Sequence, residues 1–161
     1  MKLSSREDVA LPIAAMFRAV SDFEVFERRV LRRGADISRT DPESGPGKGS
    51  TWEARFQFRG RERDLTARVT EFDAPSLIGV TSISGGLKGD FTVSLVALTP
   101  RKTRMIVGLD LTPNNLSARL FVQSLKLAKS TISKRFETAV ADYARGLERS
   151  HAEAEARAAL S

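Results

Sequence analysis

The chain has 161 residues and a mass of 17.7 kDa, the size of one ordinary domain, and a chain of that length buries roughly two thirds of the surface it exposes unfolded. With 41% hydrophobic and 29% charged residues it reads as globular, not disordered or fibrous. It contains no cysteine and one histidine, His151, close to the end, which excludes disulfide scaffolds, thiolate catalysis, cysteine-ligated zinc and iron–sulfur clusters.

The formal net charge is +6 and the pI about 10.2, enough to favour acidic partners by long-range attraction without naming one. No run of about 18 apolar residues is present to span a bilayer. The opening Met1–Asp8 lacks the apolar core and cleavage site of a signal peptide, so a cytoplasmic protein is expected. Neither a repeat nor a linker divides the sequence, so a single domain is expected over residues 1–149, followed by an Ala/Glu-rich tail, 150–161, that frays.

In chain order, Leu3 to Ala10 reads as an opening strand. Pro12 then suits the first position of a helix, because the donor it lacks would be unpaired there anyway. Ser21-Asp22 breaks that helix and caps a second, carried by Phe23, Phe26 and Val30 and ended at Arg33-Gly34. The period then changes to two: Trp52, Ala54, Phe56 and Phe58 alternate with polar residues, Gly60 turns the chain, and Leu65, Ala67 and Val69 resume the alternation. Turns at Asp73–Ser76, Ser84–Gly86 and Thr99–Lys102 bound three more strands, the last two carrying Phe91, Val93, Leu95, Ala97 and Met105, Val107, Leu109, Leu111. The result is an antiparallel meander. From Leu116 a helical stripe (Ala118, Phe121, Val122, Leu125, Ile132, Phe136, Val140, Tyr143, Leu147) predicts one amphipathic helix of about thirty residues, capped by Asn114 or Asn115.

Strand, two short helices, antiparallel strands and a long C-terminal helix read as α+β, with the helix laid across the sheet. This order, together with Ala10–Phe17 leading into Val20-Ser21-Asp22-Phe23, and Gly47-Lys48-Gly49-Ser50-Thr51-Trp52 opening the first long strand, resembles the START-like SRPBCC superfamily. The similarity covers about Lys2 to Leu147. It implies a helix-grip fold, in which a curved sheet wraps the long helix and leaves an apolar cavity between them. On that resemblance the ligand-facing set is the inward parity of the strands with the matching helix stripe: Trp52, Phe56, Phe58, Leu65, Phe91, Val93, Leu95, Met105, Leu109, Phe121 and Leu125. Without the resemblance, the same residues would simply fill a core.

Other motifs carry less. Gly45–Thr51 evokes a phosphate-binding loop but has Gly49 where Ser or Thr must follow the lysine, and it leads into a strand; an entrance loop is the better reading. With one histidine in the tail and no Gly-x-Ser-x-Gly elbow, a Ser-His-Asp hydrolase is not expected, nor is a metal or cofactor. Acid–base chemistry would fall to residues such as Glu71, Asp110 or Arg68; strand parity turns Glu71 inward and the other two outward. Basic charge concentrates in the first half of the long helix (Arg119, Lys126, Lys129, Lys134, Arg135), on the second short helix (Arg28, Arg29, Arg32, Arg33) and at Arg101, Lys102, Arg104. The helix cations Arg119, Lys126, Lys129 and Lys134 would give weak, salt-sensitive contact with an anionic membrane. Nucleic acid is disfavoured, because stacking platforms must be exposed and the strand aromatics are placed inside.

The function expected is therefore binding or carriage of a hydrophobic small molecule, such as a lipid, quinone, isoprenoid or aromatic metabolite. The alternatives are a metal-free cyclase, aromatase or dehydratase, and a membrane-docking regulatory protein. Oligomeric state stays open, a homodimer among the options.

Overall fold

The computed structural model describes residues 1–40 and 45–161. The elements run β1 (Lys2–Val9), α1 (Ile13–Val20), α2 (Phe23–Arg32), β2 (Asp36–Arg39), β3 (Thr51–Phe58), β4 (Arg61–Asp73), β5 (Leu77–Ser84), β6 (Leu87–Thr99), β7 (Lys102–Pro113), α3 (Leu116–Leu127) and α4 (Lys129–Leu160). The strands make one antiparallel sheet in the order β1-β7-β6-β5-β4-β3-β2. From β2 to β7 it is a meander, and β1 returns to the far edge beside β7.

Local signals account for most boundaries. Asp22 caps α2, its Oδ1 accepting from the Val25 amide, and Asn115 caps α3, its Oδ1 accepting from the Ala118 amide at 2.8 Å. Arg59 and Gly60, both at positive φ, form the two-residue link between β3 and β4. Two elements differ from the sequence reading. The four-residue edge strand β2 pairs Ile37 with Ala54 and Arg39 with Trp52, and it is too short for alternation to announce it. The C-terminal helix is two helices: at Ala128 the backbone leaves helical geometry (φ −107, ψ 19), and α4 then continues to Leu160 through the segment expected to fray. The apolar stripe keeps its phase across Ala128, with Ala118, Val122 and Leu125 before it and Phe136, Val140 and Tyr143 after it. Periodicity thus carries no sign of the break.

A bulge in β4 resets parity. The register runs Val69 opposite Val80 and then Glu71 opposite Gly79, with Thr70 the extra residue. Phe72 therefore takes the inward position opposite Ile78, and Glu71 is exposed on the convex side, which corrects its expected inward placement. Arg68 and Asp110 face outward as expected, opposite Thr81 and Asp90.

The main core lies where α1 and α4 cover the β1, β7 and β6 region. Val9, Leu11, Met16, Phe17, Ile78, Val93, Leu95, Met105, Val107, Val140 and Ala144 pack as one cluster there. Polar ties pin its edge: Thr103 Oγ1 donates to the Leu11 carbonyl, the Ala10 amide donates to Glu148 Oε2, and Arg145 donates to the Asp8 carbonyl. A second, smaller cluster of Phe23, Trp52 and Val69 sits under α2.

Candidate functional site

The concave face carries apolar side chains at many of its inward positions. Ala54 stands opposite Leu65, Val80 opposite Phe91, and Phe91 opposite Leu109, itself beside Leu3 of β1. Side chains directly opposite across antiparallel strands share a face, so these residues all lie on the concave side, with Ser82 and Gly89 between the two groups. The helices cover it unevenly.

The eleven residues singled out in the sequence divide accordingly. Val93, Leu95 and Met105 are buried in the main cluster. Trp52 is buried in the second: its ring meets Phe23 edge-on at 4.9 Å, and its indole N–H donates to Glu27 Oε1 at 2.9 Å. Phe56, Leu65, Leu109, Phe121 and Leu125 are half-buried. Phe58 and Phe91 are 39% and 36% exposed although both lie on the inward parity. The structure brings Phe58 and Phe121 together at 6.0 Å, edge to face, joining the end of β3 to α3. The guanidinium of Arg59 lies 5.4 Å from the centroid of each ring.

The inward parity of β4 also turns charged. Phe56 stands opposite Arg63 and Phe58 opposite Arg61, so two exposed arginines share the face of the two aromatics at its rim. Parity counting could have found them, had it followed β4 beyond Leu65 toward the turn.

Under α2, Glu27 receives both the Trp52 N–H and the buried Arg39, whose Nε stands 3.1 Å from Glu27 Oε1. That N–H is not aligned for a hydrogen bond and has no other partner among the described residues, so the contact is an ion pair. Open grooves lie beside the helices and the β2 edge among the described residues. One, of about 560 Å³, lies between α2 and α4 and is lined by Arg29, Arg33, Lys134, Arg135, Tyr143 and Arg149 among others, with Arg29 5.2 Å above the Tyr143 ring. Burial pushes the Tyr143 hydroxyl pKa up from its ordinary value, and Arg29 opposes that shift. Another, of about 490 Å³, lies beside Ile37, Ala54 and Leu65. Of the eleven residues, Leu65 alone lines either groove. Among the described residues no group of three or more His, Asp or Glu side chains is placed to hold a metal, and no helix is long and apolar enough to cross a membrane.

No family model matches the chain, and no curated protein matches it by sequence. Solved structures do. The chain is similar to a point mutant of norcoclaurine synthase from Thalictrum flavum in complex with a transition-state analogue (TM-score 0.65, 15% identity, covering 94% of this chain and 95% of that one). It is also similar to the Zhui aromatase/cyclase of Streptomyces sp. R1128 (TM-score 0.60, 12% identity, 90% and 93% covered). A START superfamily protein from Mycobacterium smegmatis aligns as well (TM-score 0.51, 19% identity, 86% and 98% covered). At these identities the likeness is one of fold. Among the described residues, seven antiparallel strands curved over a long C-terminal helix, with two short helices after the first strand, give this chain a START-like helix-grip fold.

Proposed function

We propose that the chain binds an apolar small molecule on the part of the concave face that α1 and α4 leave uncovered. The observation that carries this reading is Phe91: an inward-facing aromatic, in register with Val80 and Leu109, that keeps 36% of its surface open. Phe56, Phe58, Leu65, Leu109, Phe121 and Leu125 would share the ligand with it, while Trp52, Val93, Leu95 and Met105 form the packed wall behind. Burial of apolar surface, at roughly 25 cal/mol per Å², would drive binding before the costs of association are subtracted. Arg61 and Arg63, on the face of Phe58 and Phe56, suit a ligand with an anionic end such as a fatty acid, since a guanidinium pairs a carboxylate in fixed geometry.

Phe91→Asp tests the placement. A carboxylate there should abolish uptake of a fluorescent fatty acid while the circular dichroism stays that of the wild type. Unchanged uptake by a folded variant would remove the ligand from this face.

A further inference from the structure

We infer that α3, together with the β3–β4 turn, is a docking surface for an anionic lipid bilayer. α3 is apolar on two opposite sides. Ala118 and Val122 are buried toward the sheet. Leu116, Leu120 and Leu127 follow one another at spacings of four and seven along the other side, and they are 69%, 58% and 92% exposed. A helix that closes an ordinary core is charged or polar on that side, so three exposed leucines in line there are not accounted for by the core.

The charges around the stripe are of one sign. Arg119 and Lys126, seven residues apart, run along one flank of the leucines, and Ser117 and Ser124 along the other. Lys129 follows at the start of α4, and no Asp or Glu occurs between Leu111 and Phe136. Among the described residues, Arg119, Lys126 and Lys129 have no carboxylate within ion-pair distance. The β3–β4 turn extends the same end of the molecule. Phe58 packs on Phe121 of α3, Arg59 lies against both rings, and Arg61 follows on β4.

An apolar ridge beside unpaired cations fits a bilayer that offers acyl chains beneath anionic headgroups. A second copy of this chain fits worse. A two-fold contact through the stripe would bring Arg119 and Lys126 of each copy to the same interface with no acid to meet them. Of the cations expected to serve such a surface, Arg119, Lys126 and Lys129 belong to it; Lys134 lines the groove between α2 and α4 instead. Three leucines and a few cations give reversible docking that weakens with salt.

The inference goes beyond the ligand reading and does not rest on it. Flotation with phosphatidylcholine vesicles, with and without phosphatidylglycerol, at low and high salt, tests it. The wild type should float with the anionic vesicles at low salt and be released by high salt. Leu120→Gln with Leu127→Gln should lower binding at least about tenfold while fatty-acid uptake and melting temperature stay as they were; Leu127→Gln alone, at the most exposed position, should show the same direction. Arg119→Gln with Lys126→Gln should lower low-salt binding. Failure of the wild type to float at low salt would overturn the inference, as would flotation that the leucine variants leave unchanged. A wild-type dimer by light scattering that becomes monomeric in the leucine variants would overturn it in favour of a second copy.

Discussion

Phe91 and Val93 stand two places apart on β6 and face the same side of the sheet, yet Phe91 is 36% exposed and Val93 only 8%. Sequence pattern treats them alike. The difference lies in what crosses over them: Val93 belongs to the cluster formed with Met16 and Phe17 of α1 and Val140 and Ala144 of α4, whereas the far end of the sheet has α3, which buries only Ala118 and Val122. A period of two tells which face of a strand is apolar; the helices decide whether that face becomes core or remains an accessible wall.

The largest test of that contrast compares truncations at the two ends. Met105, 1% exposed in the main cluster, should lose about 2–5 kcal/mol on replacement by alanine, the transfer loss plus the cavity left behind. Phe91→Ala should cost less, about 1–2 kcal/mol, because its ring is partly solvated and can be replaced by water without a sealed void, yet it should reduce fatty-acid uptake strongly. Urea unfolding midpoints give both values. Equal costs would mean that the open end is packed as tightly as the other, and the contrast would be broken.

A second contrast is electrostatic. Arg39 is 6% exposed at its side chain, and Glu27 is its only charged partner among the described residues. Glu27→Ala should cost about 2–3 kcal/mol, since it leaves a guanidinium inside without its counter-charge and also strands the Trp52 N–H. Replacing the exposed Glu62, whose contact with Arg55 lies in solvent, should change stability by only a few tenths of a kcal/mol. Similar losses at both sites would show that the Glu27 pair is better solvated than its position indicates.

The fold was readable because its signals are local and repeated. Alternation at Trp52–Phe58 and Phe91–Leu95, turn residues at Gly60 and Gly85, and caps at Asp22 and Asn115 all act over a few residues. What escaped depends on distant contacts or on single residues. The extra residue Thr70 moved Phe72 inward and Glu71 outward, and nothing in the run Val69-Thr70-Glu71-Phe72 marks a bulge. Ala128 is a strong helix former, so propensity argues against the break found there. The inward set was legible as a face. Its division into Trp52, Val93, Leu95 and Met105 on one hand and the open aromatics on the other was not, because it follows from where α1, α2 and α4 lie. The outward leucines of α3 were visible as letters but became meaningful only once Ala118 and Val122 were seen to take the inward side.

How α3 is held can be probed more finely. Its N-cap, Asn115, lies over Gly86, where an added Cβ would fall within 2.0 Å of the Asn115 side chain, and the Asn114 amide donates to the Gly86 carbonyl. Asn115→Ala should cost about 1 kcal/mol through the lost cap. Gly86→Ala should displace the same side chain and loosen α3 without touching the main core. Hydrogen exchange should then rise in α3 and stay unchanged in β6 and β7; a rise throughout would mean that α3 and the packed half open as one unit.

The smallest effect is expected at Asp8, which ties β1 to β7 on the convex side of the packed half. The Arg104 guanidinium donates to both of its oxygens, at 2.8 and 3.2 Å, and this holds the Asp8 carboxyl below its ordinary value of 3.8. A carboxylate whose folded pKa is lowered adds stability above the unfolded pKa, and that increment disappears as the pH falls through the folded value. Asp8→Asn should therefore be slightly less stable than the wild type near neutrality, and the two should converge on acidification below the ordinary carboxylate range. Arg145 donates to the Asp8 backbone carbonyl, a bond the substitution leaves in place, so the difference reports the side-chain pair. A gap between the two proteins that persisted unchanged into acid would show that Asp8 acts through packing or strand geometry and not through its charge.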